Sequence, residues 1–229
     1  MDVVLVPKAA KPMHDLKTLT KASGDLKFRD KWLRFAQYLA KFLVFRLVQA
    51  DPKSELGKRL NELSKGIGLH RKAFKLGAFV DEIQKFQETL ESGKTDAKAT
   101  LTLLMRPALA LFTLLDNMVW LASLKFTQWD KDSLKMSSYR ARLVAAYAAL
   151  AINVLDLQKG AKAVAAAKPE EKQKAEEAQG QLVVSLVKNG ADVVTYMNSC
   201  NLLTLTDGNA GLIGALSSAA AMFNLWVKY

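Results

Sequence analysis

The chain has little of what most catalytic and metal sites are built from. It holds one cysteine, Cys200, and two histidines, His14 and His70. A single cysteine excludes an intramolecular disulfide and agrees with a reducing compartment. Three such side chains are also too few for a histidine or thiolate zinc site. A Cys200–His70 nucleophilic pair is left open by this count, but no neighbouring motif supports it.

Nucleotide-binding motifs are also missing. The letters GKT at residues 93–95 resemble the end of a phosphate-binding loop, but Glu88 stands where that loop needs a glycine. The glycines of residues 208–214 have the spacing GxxGxxG, which differs from the dinucleotide fingerprint GxGxxG. We therefore expect a protein that is not an enzyme and that uses no cofactor and no metal.

Strand patterns and a secretory leader are lacking as well. Apolar residues recur with a helical period almost everywhere, which predicts an all-α protein. The opening MDVVLVPKAAK, residues 1–11, has four apolar residues in a row before Pro7, too few for a secretory signal. N-myristoylation requires a glycine at position 2, where this chain has Asp2. We expect the chain to enter a membrane, if it does, from the cytosol after synthesis.

What the chain does have is an uneven charge. Residues 1–78 contain 17 of the 33 Lys and Arg and 7 of the 22 Asp and Glu, so this part carries nearly all of the net +11. The remainder is almost neutral and includes residues 210–227, where no residue is charged. At about 1.5 Å per residue this run approaches the bilayer core of about 30 Å. A basic N-terminal part and an uncharged apolar segment near the C-terminus predict an anionic phospholipid membrane as partner.

Breaks in the apolar pattern divide the chain into four predicted regions. Residues 1–95 form a basic amphipathic-helix region at the membrane surface, and residues 96–159 a membrane-embedded or buried helical pair. Residues 160–180 form a solvated, partly helical connector rich in Ala, Lys and Glu, and residues 181–229 the C-terminal helices with a terminal membrane span. The positive-inside tendency places the N-terminal half in the cytosol.

The first clear helix covers residues 26–48 and has one aromatic and one basic face. The apolar face holds Trp32, Phe35, Ala36, Leu39, Phe42 and Leu43, and the opposite face holds Lys27, Lys31, Arg34 and Lys41. Such a helix either packs its aromatic face into a bundle or lies in a membrane interface.

Residues 54–77 form a second predicted helix with a narrow apolar stripe, for which we expect membrane insertion. The stripe consists of Leu56, Leu60, Leu63, Ile67 and Phe74. Basic residues opposite and beside it are expected to bind anionic lipid; they are Lys58, Arg59, Lys65, Arg71, Lys72 and Lys75. Gly66 and Gly68 each weaken an isolated helix by about 1 kcal/mol relative to Ala, so this helix could fold on contact with lipid. A helix that packs into a protein core has the same apolar stripe, so periodicity alone does not distinguish membrane insertion from core packing.

Two later segments combine apolar and polar residues. Residues 101–126 are apolar enough to span but contain Arg106, Pro107 and Asp116, which predicts a buried or embedded helix with partners for Asp116. In residues 181–203 the polar positions step by three and four; they are Gln181, Ser185, Lys188, Asp192, Thr195 and Ser199. This seam is suited to packing in a bundle or to lining a pore.

Small residues recur at helical spacing in the terminal apolar run. They are Gly211, Gly214, Ala215, Ser218 and Ala219. Small side chains let helix backbones approach closely in lipid, so we expect self-association through this face and a homo-oligomer.

Blocks of sequence spread over nearly the whole chain resemble, in the same order, signature segments of the peroxin-eleven family of peroxisomal membrane proteins. They are RDKWLRFAQYLAKFL (29–43), GIGLHRKAFKLG (66–77), LLDNMVWLASL (114–124), SSYRARLVAAYAALAINVLDL (137–157), LVKNGADVV (186–194) and GLIGALSSAAAMFNLW (211–226). The blocks also resemble the kinetoplastid form of that family, a glycosomal membrane protein.

The resemblance implies a function and partners. Such a protein would sit in the peroxisomal membrane, glycosomal in a kinetoplastid, and elongate it before fission. It would work with dynamin-type fission machinery and the import receptor for peroxisomal membrane proteins, and its remodelling helix would be residues 54–77. One alternative is a metabolite pore lined by residues 181–199. Another is a basic nucleic-acid-binding bundle, which pI 9.6 favours but the uncharged terminus disfavours, so we expect no nucleic acid partner.

Overall fold

The computed structural model describes residues 16–228, and every regular element in that range is an α-helix, which confirms the predicted fold class. The eight helices are α1 (Leu16–Gly24), α2 (Leu26–Ala50), α3 (Glu55–Ala73), α4 (Ala78–Glu91), α5 (Ala97–Ser123), α6 (Lys131–Ala166), α7 (Pro169–Ser199) and α8 (Asp207–Trp226). Residues 1–11 and His14, considered above, lie outside the described residues.

Most helices begin at a polar residue whose side chain accepts a hydrogen bond from a free backbone N–H of the first turn. These residues are Asp25, Ser54, Asp96, Asp130 and Thr206. Helix α7 instead starts with Pro169, whose fixed backbone angle suits a first helical position. Between α3 and α4 the chain turns at Gly77, whose φ of 76° lies in the left-handed region that glycine tolerates.

Helix α2 agrees with the segment predicted for residues 26–48, whereas other boundaries differ. The expected connector, residues 160–180, is helical apart from residues 167 and 168, because α6 continues through Ala166 and α7 starts at Pro169. Ala, Lys, Glu and Gln are strong helix formers, so a polar composition here extends two helices instead of separating them. Residues 200–206 separate α7 from α8, and α1 lies before the first helix that the sequence predicts.

Six helices form a closed ring. Helix α2 packs between α3 and α8, α7 between α8 and α6, and α5 between α6 and α3. Helix α4 packs against α5, and α1 against α2. The contact between α3 and α5 is the smallest one in the ring, and it closes the ring around a polar interior.

The distribution of side chains is the reverse of a water-soluble bundle. Among the described residues, 12 of the 18 buried apolar residues are Ala, and 14 buried residues are polar or charged. Large apolar side chains such as Trp32, Leu56, Leu111 and Leu212 are about half exposed or more. Soluble proteins bury such side chains and expose charges. Small and polar residues between helices, with large apolar ones outside, are instead typical of helix packing in lipid.

Candidate membrane interface and polar interior

The apolar stripe of α3 lies on the outside of the ring. Helix α3 contacts α2 through a different face, where Ser64 Oγ donates a 3.2 Å hydrogen bond to the Gln37 carbonyl. A Cβ at Gly68 would lie 2.6 Å from the Gln37 side-chain nitrogen, so α3 passes close to α2 at this position. The stripe is about a quarter turn away, with Leu56 57%, Leu63 54% and Phe74 43% exposed and with Leu60 and Ile67 partly buried.

The six basic residues expected to bind lipid divide into two groups. Lys58, Arg59 and Lys65 are exposed, and the two lysines make surface ion pairs of 2.7 and 2.9 Å with Glu55 and Glu62. Such pairs contribute about 0–1 kcal/mol, so these cations remain open to an anionic surface.

The other group is part of the interior, which corrects their assignment to the outer basic face. Arg71 and Lys75 lie 3.0 and 3.9 Å from Asp30, and Lys72 pairs with Asp116. The physical reason is that buried carboxylates need cations close by.

Helix α2 directs its aromatic face outward. Trp32, Leu39 and Leu43 are exposed, whereas Asp30 and Arg34 on the other side are 7% and 4% exposed. The aromatic face is therefore only partly packed into the bundle: Phe35 and Phe42 are half-buried, whereas the polar side finds its partners inside the ring. The outward aromatic face is the arrangement that an interfacial helix requires.

The centre of the interior is Asp192, whose side chain is 2% exposed and which joins four helices. Arg34 Nη2 lies 2.7 Å from its Oδ1, and Lys188 Nζ and Arg142 Nη2 lie 3.0 and 3.5 Å from its Oδ2. Ser217 Oγ donates a 2.5 Å hydrogen bond to Oδ1. Burial opposes the charged carboxylate, but the surrounding cations outweigh it and hold the pKa of Asp192 well below its usual range.

A second cluster surrounds Asp30 and has more positive than negative charge. Lys31 Nζ lies 3.2 Å from Asp30, which also contacts Arg71 and Lys75. Burial acts against ionisation of Asp30, yet these three cations lower its pKa. Burial, together with neighbouring cations such as Arg71, lowers the pKa of Lys75 to about 7 and that of Lys31 to about 8.

The polar residues that interrupt the apolar helix α5 have partners, as predicted for Asp116. Besides the pair of Asp116 with Lys72, Asn117 Nδ2 donates a 3.2 Å hydrogen bond to the Lys75 carbonyl. The N–H of Gly77 donates to Asn117 Oδ1 at 3.2 Å. Side chains of α5 thus hold the turn between α3 and α4 in place.

The polar seam of α7 is largely satisfied within the helix. The hydroxyls of Ser185, Thr195 and Ser199 each donate to a carbonyl four residues earlier, at 2.8 to 2.9 Å. Residues 178–189 line a cavity of about 900 Å³, and Tyr196 and Ser199 line another of about 540 Å³. Asp192 lies between these two stretches of α7, with Lys188 at the first cavity and Arg34 at the second.

Within the described part of the chain, α5 and α6 are long and apolar enough to cross a bilayer by length and composition, and α8 is not among such helices. The small-residue face of α8 packs inside the chain. A Cβ at Gly211 would lie 2.7 Å from the backbone nitrogen of Phe42, and one at Gly214 would meet the Tyr38 ring. Ala215 and Ser218 are buried, whereas Ala219 is exposed. A second copy could reach the face predicted for self-association only if α8 left α2.

The residues considered for chemistry show no reactive arrangement in the described range. Burial raises the pKa of the Cys200 thiol, which favours the unreactive protonated form. His70 Nδ1 lies 2.8 Å from the carbonyl of Gly66 in its own helix. No cluster of three metal-ligating side chains occurs among residues 16–228.

Comparison with known proteins agrees with this architecture. Peroxisomal membrane protein 11A of Arabidopsis thaliana is 28% identical over 161 residues, which are 67% of this chain and 60% of that relative. The chain therefore spans about 60% of the length of the curated relative it matches. No solved structure gives a significant match. The family model for peroxisomal biogenesis factor 11 (PEX11) matches residues 16–226, which confirms the resemblance seen in the sequence blocks: the chain belongs to this family.

Proposed function

We propose that this protein resides in the peroxisomal membrane and elongates it by inserting the apolar stripe of α3 into the cytosolic leaflet. Family membership and the name of the Arabidopsis relative support the location. The outward position of large apolar side chains supports embedding in lipid. No bond-making chemistry is part of the proposal. Dynamin-type fission machinery and the import receptor are partners proposed from the family resemblance, and a homo-oligomer is proposed from the small residues of the terminal apolar run.

The observation that carries the mechanism is the exposure of the α3 stripe in the folded chain. Leu56, Leu63 and Phe74 are 57%, 54% and 43% exposed, so α3 needs no unfolding to present them to a membrane. Lys58 and Lys65 are exposed on the opposite side of the helix, with 64% of each side chain accessible. A helix that lies in a leaflet with its apolar side down places such lysines at the headgroups.

The free energies of burying the stripe and of placing cations at the headgroups suit reversible insertion of α3. Complete burial of a Leu or Phe side chain stabilises by about 1.5–3 kcal/mol, so burying the remaining half of three such residues contributes about 2–4 kcal/mol. Each cation near an anionic surface adds about 1 kcal/mol. The sum is enough for a wedge that enters one leaflet while α5 and α6 anchor the chain, and a wedge in one leaflet expands it relative to the other.

The test uses the full chain reconstituted in anionic liposomes, with tubules counted by electron microscopy. L56S/L63S should retain folding and membrane association but lose tubulation, because the wedge is removed at positions that make little contact inside the protein. L90S is the matched control, since Leu90 on α4 is 59% exposed. If L56S/L63S draws tubules as well as the parent, insertion of α3 is not the cause of bending.

A pore for metabolites is the second candidate, because the helices form a ring with cavities along α7. The Asp192 cluster lies between those cavities, so we expect no specific conductance from purified protein in planar bilayers. A reproducible current whose charge selectivity changes in K188E would favour the pore.

A further inference from the structure

The cavity of about 900 Å³ lies where four parts of the chain meet. They are the first turns of α2, the turn between α3 and α4, the middle of α7 and the last turns of α8. Its wall is strongly basic, with one carboxylate, Asp30, and five lysines, Lys27, Lys31, Lys75, Lys188 and Lys228. The proposed wedge shares only Phe74 with this wall, and the pore alternative includes the same cavity but assigns its lysines no bound ligand.

Three of these lysines converge inside the protein with too little negative charge nearby. The side chains of Lys31, Lys75 and Lys188 are 29%, 25% and 24% exposed. Asp30 pairs with Lys31 and Lys75 but is also bound by Arg71. Asp192 pairs with Lys188 but is also bound by Arg34 and Arg142. Partly buried cations that share their carboxylates in this way favour an added anion.

Uncharged polar groups lie beside the lysines. Asn224 Nδ2 donates a 2.9 Å hydrogen bond to Ser185 Oγ, and Lys188 Nζ donates one of 2.9 Å to Asn189 Oδ1. Asn224 Oδ1 is buried and has no hydrogen-bond partner among the described residues. Ser185, Asn189 and Asn224 also line the cavity, so uncharged polar side chains stand beside the lysines there.

The rest of the wall is apolar. Leu26, Phe74, Leu182, Ala221 and Leu225 line the same cavity. A small inorganic anion would leave this part of the surface uncovered, whereas an anionic lipid would cover it with an acyl chain. Basic pockets between helices are known to take lipid headgroups.

We propose that this cavity binds a single phospholipid with a net negative headgroup, with its phosphate between Lys31, Lys75 and Lys188 and the upper part of its acyl chains along Leu182 and Leu225. The volume is within the range of sites for molecules of drug size, so it holds a headgroup and the first part of the chains. This site goes beyond the proposed function, because it shares only Phe74 with the α3 stripe and requires no membrane bending. Either proposal can fail without the other.

The experiment titrates the folded full chain in a non-ionic detergent and follows binding by isothermal calorimetry. The probes are dihexanoyl phosphatidic acid, dihexanoyl phosphatidylcholine and inorganic phosphate. K31Q/K75Q removes two cavity charges while Arg71 continues to neutralise Asp30. K58Q/K65Q removes the same charge from the outer face of α3. L182E keeps every lysine and adds a carboxylate to the cavity wall, so it tests the site even if K31Q/K75Q does not fold.

We expect saturable binding of one phosphatidic acid per chain, at least tenfold weaker in K31Q/K75Q and in L182E and unchanged in K58Q/K65Q. Phosphatidylcholine and inorganic phosphate should bind at least tenfold more weakly than phosphatidic acid. Equal affinities for phosphatidic acid and inorganic phosphate would overturn the lipid assignment. Equal binding by the parent and L182E would overturn the location.

Discussion

Replacing Asp192 by Asn should be among the most destabilising single changes of this chain. The substitution keeps the shape and the hydrogen bond to Ser217 but removes the charge that three cations share. Arg34, Lys188 and Arg142 lie within 3.5 Å of the Asp192 carboxylate, and the side chain of Arg34 is 5% exposed. In D192N that guanidinium is buried without a counter-charge.

The magnitude follows from the burial. Removing one partner of a buried ion pair costs about 3–5 kcal/mol, since the remaining charge is uncompensated. For a chain of this size each 1 kcal/mol lowers Tm by about 2–4 °C, so D192N should melt about 10 °C below the parent. R34M should cost less than D192N, because Asp192 keeps Lys188 and Arg142. In D192N/R34M the loss should be smaller than the sum of the single losses.

The assay is thermal unfolding of the full chain in detergent micelles, followed by circular dichroism. K65Q is the control, because its ion pair with Glu62 is on the surface and should contribute about 0–1 kcal/mol. A Tm of D192N within 2 °C of the parent would refute the assignment of Asp192 as the centre of the interior. Strict additivity of D192N and R34M would show that the two side chains do not interact.

Three further predictions concern pH, packing and membrane association. The free energy of unfolding should rise between about pH 7 and 10, because Lys75 and Lys31, with pKa values of about 7 and 8 in the folded chain, bind fewer protons there than unfolded lysines do. The increase of Tm with pH should be smaller in K75Q. G211A should lower Tm, because its Cβ would meet the α2 backbone at Phe42. G66A has open space around its Cβ and should raise the free energy of unfolding by up to about 1 kcal/mol. A higher Tm for G211A would contradict the packing of α8 against α2. The full chain should stay in the membrane pellet after carbonate washing, and its release would contradict the embedding of α5 and α6.

The fold class could be predicted because its signals are local. Helical periodicity is visible in any window of a dozen residues, and caps such as Ser54 and Asp96 mark helix starts within three residues of the groups they bind. The α3 stripe could be located for the same reason. The composition of residues 160–180 misled because it is typical both of a solvated linker and of a solvated helix.

The interior could not be predicted, because it depends on contacts between residues far apart in the sequence. Arg34 bonds Asp192 across 158 positions, and Arg71 bonds Asp30 across 41. Periodicity gave α2 an apolar and a basic face but did not say which one points inward. A signal was present, since Asp30 lies on the basic face one turn before Arg34. The α8 face posed the same problem, because small residues allow close approach to any helix, including α2 of the same chain.

The polar, alanine-rich interior also determines how stability should vary with temperature. The heat-capacity change of unfolding comes mainly from apolar surface that is covered in the native state and then hydrated. Here most buried apolar residues are Ala, and large side chains such as Leu56, Leu111 and Leu212 already face outward. If they also stay in detergent or lipid when the helices separate, little apolar surface is newly hydrated. The stability curve of this protein should therefore be flat, with a broad range of temperatures over which the ring is almost equally stable.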